Sequence, residues 1–180
     1  MNQKGALGLS INILVIIIIS LVILGAGVAF LYNFVGGAEK IKAELDVRTE
    51  AELERLLTDQ GKKVALARNT VTLNSGDNHV FGLGILNLNA QEYGKEFSIS
   101  VTHSKSADEQ DQKLIYDASS WLLYNTETIK IMENDHHTEP ILVSVPKDAP
   151  KGTHIFNVEV TSLSTQTQYD NTKKISVKVK

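Results

Sequence analysis

The chain has 180 residues, 42% hydrophobic and 22% charged, with a formal net charge of −3. That balance fits a folded chain and excludes an intrinsically disordered one. Cysteine is absent, which excludes a disulfide framework, a thiolate metal site and a cysteine nucleophile. From Gly61 onward acidic and basic residues are nearly equal in number, so no basic face marks a nucleic-acid binder.

In chain order, residues 1–5 form a short polar head with Lys4 as its one charged side chain. Residues 6–35 follow as an apolar segment, and Ala6 to Leu31 carry no charge at all. As a helix those residues would rise roughly 39 Å, against a hydrocarbon core of ~30 Å, so the length predicts a transmembrane α-helix. The run is longer than the apolar region of an ordinary secretory signal peptide, although Gly25-Ala26-Gly27-Val28-Ala29 mimics such a cleavage site. The short head predicts an N-terminus inside the cell and a C-terminal domain outside, with membrane lipid as a partner. Gly8, Gly25 and Ala29 are small positions in this segment, and Gly25 and Ala29 share a helix face. Small residues let neighbouring helices approach closely, so these three are candidates for helix packing and self-association.

Residues 36–61 predict an amphipathic helical stalk. Ile41, Leu45, Leu53, Leu56 and Leu57 recur at helical spacing among charged residues. Gly36-Gly37 offers a hinge, Thr49-x-x-Glu52 has the form of a capping box, and Gly61 ends the pattern. The alternative for this segment is a linker packed on the domain that follows.

Residues 62–180 predict strands. Apolar residues alternate with polar ones at Phe97-Ile99-Val101, Ile141-Val143-Val145, Phe156-Val158-Val160 and Ile175-Val177-Val179. Further strands are expected at Val64–Leu73, Lys113–Tyr116, Trp121–Tyr124 and Thr128–Met132. In Phe81-Leu83-Ile85 the phase slips to Leu86-Leu88, which predicts a β-bulge or a strand crossing between sheets. So many short strands predict an all-β, Ig-like two-sheet sandwich, with a turn at Pro146–Thr153. The whole-chain expectation is an N-terminal transmembrane α-helix with a helical stalk, followed by that sandwich.

No catalytic constellation is legible. His136 and His137 adjoin Asp135 and Glu139, but the two rings are not spaced to chelate one ion, so a polar loop is expected. His79, His103 and His154 are single histidines in strand-like contexts. Asp108, Glu109 and Asp111 lack the spacing of a calcium loop. Neither a metal nor an organic cofactor is expected, and no Asn-x-Ser/Thr sequon occurs.

Two stretches resemble known families. Lys4-Gly5-Ala6-Leu7-Gly8 before the apolar run resembles the class III signal of archaeal type IV pilin-like proteins, including archaellins. The resemblance implies that a prepilin peptidase cuts after Gly5, so Lys4, Gly5 and Ala6 are processing-site candidates. It also implies that the retained apolar helix packs into a filament core. Two departures stand out. The head holds one Lys, and Ser10 stands where bacterial pilins carry an acid. Residues 141–161 resemble Ig-like repeats of prokaryotic surface proteins. The expected function is a structural subunit of an extracellular filament. The alternative is an unprocessed, single-pass surface protein whose Ig-like domain binds a protein or glycan.

Overall fold

A computed structural model describes Ile13, residues 15–25 and residues 47–180 of the chain. It divides into two compact units, residues 1–40 and 41–180. In the first, Ile13 and residues 15–25 are helical and exposed. The predicted transmembrane α-helix and its stalk require correction. Among the described residues, no helix is long and apolar enough to cross a membrane.

In the second unit, α1 (Val47–Glu54) runs into a π-helical turn (Arg55–Asp59). Gly61 closes the helix with φ +60°, a left-handed conformation that glycine adopts freely. Thr49 lies inside the helix, already formed at Val47, rather than at its cap, and Glu52 instead pairs with Arg55 at 2.7 Å. The segment does not stand free as a stalk. Leu53, Leu56 and Leu57 are buried with Ala65 and Leu86 in a small cluster on the outer face of a sheet. The sequence had left open whether this segment projects or packs; its described part, residues 47–61, packs, while Gly36-Gly37, Ile41 and Leu45 lie outside the described residues.

Eleven strands follow: β1 (Val64–Leu66), β2 (Thr70–Leu73), β3 (Asn78–Leu86), β4 (Glu96–Ala107), β5 (Lys113–Leu114), β6 (Leu122–Tyr124), β7 (Ile129–Lys130), β8 (His136–Ser144), β9 (Gly152–Ser162), β10 (Thr167–Gln168) and β11 (Lys173–Val179). One sheet has the order β1-β3-β8-β6, and the other β2-β11-β9-β4-β5. Lettered along the chain, these are the ABED and GFC sheets of an immunoglobulin-type sandwich. The segment expected as one strand at 64–73 divides between the sheets. Its β1 half pairs antiparallel with β3, and its β2 half pairs parallel with β11.

The main core lies between the sheets. Phe81, Leu83, Ile85, Ile141 and Val143 face Phe97, Ile99, Phe156, Val158, Ile175 and Val177, with Trp121 fully enclosed. Strand alternation supplies it, since β9 buries every second residue from end to end. The phase slip in β3 is neither a bulge nor a crossing, because β3 pairs with β8 without interruption from Asn78 to Leu86. Both faces of β3 are covered. Phe81, Leu83 and Ile85 enter the sandwich core, while Leu86 joins the cluster under the helix. Gly84 permits that second layer: a Cβ there would lie 2.7 Å from Leu57 Cδ1.

Loop residues finish the packing. Asn87 donates Nδ2 to the carbonyls of Gly94 and Ile131, tying three connections at one end of the sandwich. The Tyr169 hydroxyl donates to the Leu86 carbonyl at 2.7 Å, and Asp170 accepts from the Val64 amide and from Lys173. Lys63 lies 4.5 Å from the Tyr93 ring centroid, a cation–π contact where the chain enters the sandwich.

Candidate functional site

Of the residues singled out for processing and packing, Lys4, Gly5, Ala6, Gly8 and Ala29 lie outside the described residues. Gly25 is described. It is helical, and open space surrounds the position its Cβ would occupy. Around it Ile16, Ile17, Ile18, Leu21, Val22, Ile23 and Leu24 are all about half exposed or more. A helix that is apolar on every side is a helix meant to be covered on every side.

The sandwich assembles one group of side chains that looks like catalytic machinery. A true β-bulge interrupts the β4–β9 pairing between His103 and Lys105. In a regular strand, residues three apart point to opposite faces. The bulge reverses the parity, so His103 and Ser106 both turn toward the interior. His103 Nε2 then sits 2.9 Å from Ser106 Oγ, and its Nδ1 lies 3.5 Å from the Asp117 carboxylate. Ser106 Oγ is also 2.8 Å from Nδ1 of His154, whose Nε2 is 3.1 Å from the Pro150 carbonyl.

Asp117, His103 and Ser106 thus match the outline of a hydrolytic triad, but their hydrogen bonds run the wrong way. A carbonyl oxygen can only accept, so His154 Nε2 carries the proton given to Pro150. Burial of His154 pushes its pKa below the ordinary imidazole range, which keeps the ring neutral. Its Nδ1 therefore accepts. Ser106 has one proton and three candidate acceptors, His154 Nδ1 at 2.8 Å, His103 Nε2 at 2.9 Å and the Tyr116 carbonyl at 3.3 Å. His154 Nδ1 has no other donor among the described residues and can only accept, so the proton goes there. His103 must then donate to Ser106, whereas a catalytic histidine takes the serine's proton. Ser106 is also only 2% exposed, and the Trp121 ring closes over His154 at 4.5 Å. The cluster is a buried polar brace without a nucleophile.

The remaining histidines stand apart from this cluster. His136 and His137 are not in a loop; they open β8, and His137 Nε2 lies 2.8 Å from the buried Glu139 carboxylate. Among the described residues, no group of three His, Cys, Asp or Glu could hold a metal ion. Burial, followed by the nearby Arg68 charge, lowers the pKa of His79.

Two adjoining grooves lie beside α1, about 540 and 490 Å³ in volume, and share Glu52, Ala67 and Arg68. Lys62, Lys173 and Lys174 also line the second. Sequence reasoning missed this site because its cations lie far apart in the chain and meet only through the sheet topology.

No family model matches the chain, and no curated protein does. Solved structures match at the level of the sandwich. A family 123 glycoside hydrolase from Clostridium perfringens aligns at 14% identity with a TM-score of 0.44, over 62% of this chain and 23% of the hydrolase. A PapD-like domain of human CEP192 aligns at 13% identity with a TM-score of 0.43, covering 66% of this chain and 85% of the domain. The CooA pilin subunit of enterotoxigenic Escherichia coli aligns at 12% identity with a TM-score of 0.40, covering 66% and 97%. Pilin subunits and pilus chaperones thus stand among the similar folds beside an enzyme that this chain matches over less than a quarter of its length. Likeness this distant carries neither a family nor an activity.

Proposed function

We propose that the chain is a structural subunit of an extracellular filament, assembled through its apolar N-terminal helical segment and displaying the sandwich outward. The observation that supports this reading is the exposed apolar helix at residues 15–25, set behind Lys4-Gly5-Ala6. Copies of the same segment would cover one another on all sides, as an all-apolar helix requires. The Lys4-Gly5 head would be trimmed first by a prepilin peptidase at the membrane face. No chemistry is assigned to the sandwich, whose one serine–histidine cluster is sealed and directed away from nucleophilic attack.

Electron microscopy of cells labelled with antibody to the sandwich tests the assembly step. Wild-type cells should carry labelled filaments, and cells expressing Leu21→Asp should carry none while making a folded sandwich. Labelled filaments undiminished by Leu21→Asp would contradict the proposal.

A further inference from the structure

The groove between β1 and β11 is positively charged in a chain whose net charge is negative. Its lining holds Lys62, Arg68, Lys173 and Lys174, with Glu52 as the one acid. Glu52 is occupied by Arg55 at 2.7 Å, and Lys173 by Asp170 at 3.0 Å. Lys62, Arg68 and Lys174 remain, all exposed, and none of the three forms an ion pair among the described residues. Lys62 also acts on Glu52, the groove's one acid, and a concave site with this excess of cations fits an anionic partner.

The same chain presents such a partner. The loop between β4 and β5 carries Asp108, Glu109 and Asp111, and Glu109 and Asp111 are exposed. The loop is preorganised: Asp108 Oδ1 accepts from the amides of Gln110 and Gln112, and Asp111 holds φ +61°. Little ordering entropy would be lost when it docks.

The loop cannot reach the groove of its own molecule. Three strand steps separate β11 from β5 across the sheet. Along the strands, Lys174 stands level with Asn157 of β9, whereas Ala107 stands level with Thr153. Three spacings and four residues each amount to roughly 14 Å, far beyond ion-pair distance. Acid and base therefore lie well apart on the sandwich. Two different surfaces joined in this way make a heterologous contact, which extends into a chain wherever the rotation between copies does not close a ring.

We propose that the basic groove of one subunit receives the acidic β4–β5 loop of the next, adding a head-to-tail contact between sandwiches. This inference rests on the filament reading above and names its second interface. The absence of cysteine makes a clean test possible. Full-length chains carrying Glu109→Cys and Lys174→Cys together, both at exposed positions, are treated with a short bismaleimide after assembly. The expected result is a ladder of covalent oligomers. A mixture of the two single variants should stop at dimers, and either variant alone should give none. Charge reversal at Arg68 and Lys174 to Glu should remove the loop contact, as read by loss of crosslinking between Glu109→Cys and an added Asn69→Cys. Raising the salt concentration should lower the yield in the same way. Filaments visible by microscopy without a ladder would overturn the groove contact and leave the helix-driven assembly standing. Absence of both filaments and ladder would overturn both.

Discussion

The carbonyl of Pro150 decides what the histidine cluster can do. By accepting from His154 Nε2, it fixes the direction of every hydrogen bond back to His103. Ser106→Ala should therefore destabilise the fold by about 1–3 kcal/mol, because the buried His154 ring and the part-buried His103 ring lose their partner; urea denaturation measures this. The pH dependence follows from His154 and His79. Burial lowers the pKa of both in the folded state. The unfolded chain then binds more protons below the ordinary histidine pKa of about 6.5. Stability is full above that pH and falls as pH drops through it toward the lower folded values. Melting temperature should decline from pH 7.5 to 5, and a constant value would contradict the assignment of neutral buried rings. None of this was legible in the sequence. His103 and Ser106 are three apart, which in an unbroken strand places them on opposite faces. Nothing in the composition of that strand announces the bulge that reunites them.

At the scale of elements, β3 and the helix before it account for the hydrophobic residues that strand alternation leaves over. Alternation made most of the larger strands legible, since Phe97, Ile99 and Val101 and the matching residues of β8, β9 and β11 all point one way. It misled at Leu86, because a two-residue period describes a strand with only one covered face. β3 has two, and the second belongs to Leu53, Leu56 and Leu57. The π-helical turn at Arg55–Asp59 supplies one extra residue per turn, and Leu56 and Leu57 both stay buried through it. Leu57, fully buried, should cost about 2–5 kcal/mol when replaced by alanine, measured by chemical denaturation. Gly84→Val should cost about 1–3 kcal/mol, since its side chain must displace Leu57 from the sheet. Near-neutral results for both would mean that the helix does not dock on β3.

For the whole molecule, the two units carry different parts of the account. The sandwich is complete in itself, with an immunoglobulin-type strand order and a core closed by both sheets. In the N-terminal unit, described residues 15–25 are a helical segment whose apolar side chains are about half exposed or more. Its apolar character was plain in the sequence. Its predicted role as a membrane-crossing helix was not borne out by the described helices. Length alone had supported that role, and length does not say what covers an apolar surface. Copies of the chain are the covering that the filament account requires. The intact mass of the protein purified from its native surface tests that account most directly. The account predicts a mature chain that begins at Ala6, with residues 1–5 removed. A chain that retains Met1, or one cut elsewhere, would contradict it.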